Sequence, residues 1–289
     1  MMNTVGLLLA GVLASASVSA GAGATLNPAL PTLFIAGDST AAPGPTPDQE
    51  GWGEPFAAYF DAAKINIANR ARGGRSSRTF ITEGHWEQLL GELKPGDFVL
   101  LQFGHNDAGA LNEEPPGSTR PLRARGTIPG VGEETQEIDN VITGQHEVVH
   151  SFGWYLRKMI VDVRNKRATP IVLSLTVRND WKEGRVECGA DSYRQWDFQI
   201  AKSNHVGFID LTRIVADKYQ AMGSEAVTGF FSKDHVHTTP AGADYNAAAV
   251  VSGLRTMNAK PSMRFLSPKG RAVRADRGRS SRSVCGRVR

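Results

Sequence analysis

Apolar residues along this chain fall into two alternating spacings. Short, nearly unbroken runs occur at residues 32–36, 65–69, 98–103, 171–175 and 207–210, each bounded by turn-forming residues. Such runs are the pattern of parallel strands buried on both faces. Between them apolar positions recur at helical intervals, at 55–63, 83–93, 146–167, 193–202, 211–222 and 240–257. The second of these is stopped by Lys94-Pro95-Gly96, and the last has Pro240 in its first turn, where a missing N–H costs nothing. The stretch 146–167 reads as one long amphipathic helix with basic residues in its last turn. Strands alternating with helices predict an α/β fold, a doubly wound parallel sheet of five strands forming one domain over 30–258. Residues 108–145 break the rhythm with several prolines and glycines and little periodicity. They follow the third strand, on the side where such sheets carry their chemistry, and are expected to wall a substrate cleft.

Composition changes this picture at the two ends. The first twenty residues carry no charged side chain, have an apolar core at 5–13, and end in Val18-Ser19-Ala20. This resembles a secretory signal peptide over 1–20, although without the usual basic start. No other stretch is long enough to span a bilayer, so the mature protein is expected to be exported, with no membrane association after cleavage. The net charge of +4 conceals an asymmetry. Residues 262–289 hold eight arginines and one lysine against one aspartate, which leaves the rest of the chain at −4. This Arg-rich tail has little apolar content and no aromatic pattern of a nucleic-acid reader, and is expected to be a disordered, solvated appendage. Cys188 and Cys285 suit an oxidising compartment. They could pair, tying the tail to the body, or stand as two thiols; the sequence leaves both open.

The first apolar run ends at Gly37-Asp38-Ser39-Thr40, where glycine would permit a sharp turn. That puts Ser39 at the carboxyl end of the first strand. A serine hydroxyl is protonated at neutral pH and needs a base to become a nucleophile, and the base needs an acceptor to fix its tautomer. Asp234-His235-Val236-His237-Thr238-Thr239-Pro240 supplies both. Asp234 and His237, three residues apart before a helix, can fold onto each other, with His237 facing Ser39 and His235 pointing elsewhere. The same segment could simply cap the last helix through Thr238 or Thr239. A metal site at His-x-His ranks below the triad, because Ser39 and Asn106 add no ligand that zinc prefers. Donors for an oxyanion hole are at hand: Gly73-Gly74 after the second strand and the Asn106 amide after the third, together with the Ser39 N–H.

Taken together, Ala36-Gly37-Asp38-Ser39-Thr40, Gly51-Trp52-Gly53-Glu54, Gly74-Arg75-Ser76-Ser77-Arg78, Phe103-Gly104-His105-Asn106-Asp107 and the Asp234–His237 segment resemble the blocks of the SGNH (GDSL) hydrolase family. More narrowly they resemble rhamnogalacturonan acetylesterases. The resemblance spans roughly 32–254. It implies a three-layer α/β/α sandwich with a five-stranded parallel sheet, Ser39 as nucleophile, His237 as base and Asp234 as its orienting acid. It further implies an oxyanion hole of Ser39 N–H, Gly74 N–H and the Asn106 amide, with Asp38 a block residue and not the triad acid. The family uses no metal and no cofactor.

The function expected from all this is a secreted esterase removing acetyl groups from a pectic polysaccharide, acting as a monomer. Arg70, Arg72, Arg75 and Arg78 crowd the segment carrying Gly74, and any that face the cleft would favour a polyanionic galacturonate chain. Two readings compete. A lipase or thioesterase of the same fold predicts an apolar acyl groove, which the polar residues of 108–145 do not suggest. A catalytically silent glycan-binding module would have no reason to keep Ser39, Gly74, Asn106, Asp234 and His237 together.

Overall fold

A computed structural model describes residues 26–289 except 115, 120, 190, 258–261, 277, 279–282, 287 and 289. The leader expected over 1–20 lies outside the described residues. Among the described residues, nine strands and nine α-helices follow one another. β1 is Thr32–Gly37, β2 Asn66–Asn69, β3 Phe98–Gln102, β4 Thr135–Asp139, β5 His146–His150, β6 Thr169–Leu173, β7 Trp181–Lys182, β8 Arg185–Val186 and β9 Gly207–Ile209. α1 is Ser77–Thr82, α2 His85–Glu92, α3 Phe152–Asn165, α4 Asp191–Ser203, α5 Leu211–Met222, α6 Ser224–Thr228, α7 Pro240–Leu254, α8 Ser262–Phe265 and α9 Pro268–Ala272. A short 3₁₀ helix, Pro55–Tyr59, takes the place of the longer helix expected at 55–63.

The central sheet runs in the order β2-β1-β3-β6-β9, every pair parallel. Because successive side chains point to opposite faces, each strand feeds two cores. Leu33, Ile35, Leu100, Ile171 and Leu173 pack on one face with α5, α7 and the 3₁₀ helix. Phe34, Ala36, Val99, Leu101 and Val172 pack on the other with α1, α2, α3 and α4. Burial on both faces explains why these strands read as continuous apolar runs, and the result is the expected α/β/α sandwich. The strand order reverses between β1 and β3, which opens a crevice at their carboxyl ends.

Four expectations are corrected. The stretch 146–167 is not one helix: β5 ends at His150, Ser151 caps α3 by accepting from the Trp154 N–H, and only then does the helix run. Part of 108–145 is strand, since β4 pairs antiparallel with β5. Gly37 makes no left-handed turn; it lies within β1, where a β-carbon would stand 2.9 Å from the carbonyl oxygen of Gln102. It is small because the neighbouring strand is close. Finally, where described, 262–289 is not a detached tail. Phe265 and Leu266 are buried in the core, Ser252 bonds to the backbone of Arg274 and Asp276, and Asp217 accepts from the Val284 N–H. Cys188 and Cys285 form a disulfide, Cα–Cα 5.8 Å, that fastens this segment to the stretch just after β8.

Candidate active site

Three blocks of the site follow the carboxyl ends of β1, β2 and β3. After β1, the carbonyl of Asp38 accepts from the N–H groups of Ala41 and Ala42, a tight turn that carries Ser39 outward. The Asp38 carboxylate faces inward and receives the Thr40 N–H at 2.9 Å and the Thr40 hydroxyl at 2.8 Å. Asp38 therefore braces the turn and does not touch the base.

The base arrives from the far end of the chain. A turn closed by Thr239 N–H to Phe230 O and Ser232 N–H to His237 O holds Asp234 and His237 at its tip. Asp234 accepts the N–H groups of Val236 and His237 on one oxygen and faces His237 Nδ1 with the other, at 2.7 Å. His237 Nε2 lies 2.9 Å from Ser39 Oγ. Burial pushes the Asp234 carboxyl upward, but the hydrogen bonds from the His237 ring and the two N–H groups win and hold it below the usual carboxylate range. It is thus an anion whenever His237 needs an acceptor. Thr239 caps α7 by accepting from Gly242 N–H, so the segment serves as helix cap and as part of the site at once.

The two loops are fastened to each other by the Glu50–Gly53 segment. Glu50 exchanges hydrogen bonds with Thr238, at 2.8 and 2.7 Å. Gly51 and Gly53 donate to the carbonyls of Ala42 and Ala41. Trp52, fully buried, donates its indole N–H to Gln102 at the end of β3. Residues beside the nucleophile and beside the base are thus joined through four consecutive residues.

The loops that carry the expected oxyanion donors are bonded to each other, and the first of them borders Ser39. Gly73 borders the nucleophile: a β-carbon there would stand 3.8 Å from Ser39 Cβ. Gly74 follows with φ +78°. The Asn106 amide donates one hydrogen to the Arg75 carbonyl at 2.9 Å, which fixes its plane and leaves the other hydrogen to donate. Asp107, next in sequence and buried, accepts the N–H and hydroxyl of Ser77, so the loops after β2 and β3 are locked together. His105 is turned away, 3.3 Å from the Thr176 hydroxyl, and burial drives its pKa down despite the opposing pull of Asp38. His235 also points elsewhere, its Nδ1 2.6 Å from Asp180. The two histidines of His-x-His thus have separate carboxylate partners.

The arginines do not all behave as expected. Arg78 is completely buried; its guanidinium grips Glu147 at 2.6 and 2.7 Å and donates to the carbonyls of Leu111 and Gly126. It cements the loop 108–145 to α1 and cannot meet a substrate. Arg70 is paired with Glu92. Arg72 is exposed and does not line the two cavities bordered by Arg123. Arg75 does line the cleft beside Gly74, a cavity of about 390 Å³, though paired with Glu83 at 2.7 Å. Across that cleft stand Arg123 and Arg125, from the loop expected to wall it. Reading the sequence missed them, and their only signal is the alternation Arg123-Ala124-Arg125 within a loop otherwise mixed in charge.

Comparisons with known proteins agree with the geometry. Residues 35–245 match the model of the GDSL-like Lipase/Acylhydrolase family. The chain is 31% identical to a rhamnogalacturonan acetylesterase of Emericella nidulans over 77% of its own length and 84% of the relative's. It is 25% identical to the rhamnogalacturonan acetylesterase RhgT of Bacillus subtilis over 83% and 96% of the two chains. Among solved structures, the YxiM protein of Bacillus subtilis superposes with a TM-score of 0.61 at 25% identity, covering 78% of this chain and just over half, 56%, of that one. An acetyl-xylooligosaccharide esterase of Geobacillus stearothermophilus shares the fold, with a TM-score of 0.52 at 18% identity over 81% and 96% of the chains. With five parallel strands delivering the blocks in family order, the chain belongs to the GDSL-like lipase/acylhydrolase family and is a carboxylic ester hydrolase.

Proposed function

We propose that the protein is an exported carbohydrate O-acetylesterase that deacetylates a pectic, rhamnogalacturonan-like polysaccharide through an acetyl-Ser39 intermediate. The observation that carries the reading is the unbroken line from Ser39 Oγ to His237 Nε2, 2.9 Å, and from His237 Nδ1 to Asp234, 2.7 Å. As Ser39 Oγ attacks the acetyl carbon, its proton passes to His237 Nε2, and the Asp234 anion stabilises the imidazolium. The negative charge on the former carbonyl oxygen is met by the N–H groups of Ser39 and Gly74 and the free hydrogen of the Asn106 amide. Each such donor is worth on the order of 10²–10³ in rate. Collapse breaks the bond to the sugar oxygen, which leaves with the proton from His237. Water then repeats the cycle, losing a proton to His237 and releasing acetate, and Ser39 recovers its own.

The rhamnogalacturonan acetylesterases among the relatives support the substrate, and so does the cationic wall of the cleft. The disulfide supports export, since such bonds persist in oxidising compartments. The test is acetate release from acetylated rhamnogalacturonan, homogalacturonan and xylan, beside short- and long-chain acyl esters. The expected result is preference for the pectic substrates and loss of all release in Ser39→Ala. Preference for long-chain esters, or undiminished release by the variant, overturns the reading.

A further inference from the structure

We propose that Arg123 and Arg125 form a subsite for the carboxylate of an acidic sugar in the chain that bears the scissile ester. The proposal rests on the polysaccharide esterase reading and assigns the residues that would select an anionic chain.

Three observations carry it. First, the two guanidinium groups border the same point beside Gly74. A β-carbon on Gly74 would stand 3.7 Å from Nη1 of Arg123 and 3.7 Å from Nη1 of Arg125. Gly74 is one residue from Gly73, which borders Ser39, and adjacent α-carbons are about 3.8 Å apart. The charges thus stand within reach of the sugar that carries the ester or of its neighbour.

Second, among the described residues neither guanidinium has a carboxylate in direct contact. The arginines of the 70–78 segment that pair do so with carboxylates: Arg70 with Glu92, Arg75 with Glu83, Arg78 with Glu147. Among the described residues Arg123 has no ion pair or hydrogen bond, and Arg125 bonds only to the neutral carbonyl of Gly74, at 3.0 Å. Burial and the neighbouring Arg123 charge hold Arg125 below the usual range, against the weaker pull of the more distant Asp38, Asp107 and Glu114. Two like charges so placed repel, and a carboxylate between them removes the repulsion while filling both planar forks.

Third, the arrangement is held at a conformational cost. Ala124, between them, is buried and has φ +41°, a region that residues with a β-carbon seldom enter. The cleft also continues: a second cavity of about 270 Å³ shares Thr79, Glu83, Arg123 and Ile142 with the first. Leu122 and Ile142, both exposed, offer apolar ledges for the C–H faces of sugars. Such a groove suits several units of a chain more than one small ester.

The experiment uses deacetylated oligogalacturonate as an inhibitor of 4-nitrophenyl acetate hydrolysis. The expected result is competitive inhibition that weakens with salt, with Ki raised about tenfold in Arg123→Gln and less in Arg123→Lys, which keeps the charge but not the fork. A neutral oligosaccharide of the same length should not inhibit. Absence of inhibition, an unchanged Ki in Arg123→Gln, or equal inhibition by polyaspartate of matched charge each overturns the proposal. Failure of the esterase reading looks different: turnover of 4-nitrophenyl acetate with no acetate from any polysaccharide, a result that leaves the Ki comparison intact.

Discussion

His237 Nε2 stands 2.9 Å from Ser39 Oγ although 198 residues separate them in sequence. That contact depends on Asp234, which fixes both the ring and the backbone of His237. In Asp234→Asn an amide replaces the anion opposite Nδ1, and kcat should fall by about 10²–10⁴ with a much smaller change in KM. Against the effect of burial, these hydrogen bonds hold the Asp234 carboxyl below the usual carboxylate range. An imidazolium cannot take the serine proton, so the rate should fall as the medium is acidified. A rate independent of pH from 5 to 8 would remove His237 as the base.

Arg78 should matter for stability and not for substrate. Its guanidinium is buried, and Glu147 is held below the usual range by it, against the effect of burial. Arg78→Ala leaves that carboxylate without its partner and should cost about 3–5 kcal/mol in chemical denaturation. Unaltered stability combined with a raised KM would return Arg78 to the cleft.

The pH dependence of stability should carry the mark of Asp107. Burial pushes its carboxyl up to about 7, with the Ser77 hydrogen bonds pulling back only part of the way. Between the ordinary value of 3.8 and about 7 the folded protein keeps a proton that the unfolded chain gives up. This contribution is therefore complete below the lower value and is lost as pH rises to the upper one. Asp197, buried and raised well above the ordinary value, acts in the same direction. His105 and His150, whose pKa values burial lowers, act in the opposite direction, so the test is the difference. Across this window the urea midpoint of Asp107→Asn should fall less, or rise more, with pH than that of the wild type, and an identical pH dependence would discount Asp107.

Reduction of the disulfide, or Cys285→Ser, should lower stability by about 2–4 kcal/mol, because the bond spans 97 residues and restricts the unfolded chain. Denaturation with and without reductant measures it. An equal shift when reductant is added to Cys285→Ser, which has no disulfide to lose, would point to some other effect of the reductant.

The five parallel strands were legible because each is buried on both faces. Leu33 to Ala36 has no exposed side to interrupt the apolar run. Ser39, Gly74 and Asn106 were legible because each follows the end of a strand, and Asp234 and His237 because an acid and a histidine stand three residues apart just before a helix. The break inside 146–167 was not, because Val149, Phe152, Leu156, Met159 and Val163 keep nearly helical spacing across it; only Ser151, as a cap, marks the boundary. α1 is six residues long, too short for periodicity to show. Nor does sequence tell where a long side chain turns, so Arg78, which faces inward, looked equivalent to Arg75, while Arg123 and Arg125 were passed over. The Arg-rich end looked disordered because so few residues, chiefly Phe265, Leu266 and Cys285, pin it down.

Closing the chain at Cys188 and Cys285 makes the intervening segment a covalent ring. Asp234 and His237 lie inside the ring and Ser39 outside it. A single proteolytic cut anywhere between the cysteines then yields two pieces that stay one molecule until reduced. After a cut between Cys188 and Asp234 the disulfide is the sole covalent link between the piece carrying the acid and base and the piece carrying the nucleophile, so such a nicked enzyme should keep its activity in an oxidising medium and lose it to a reductant.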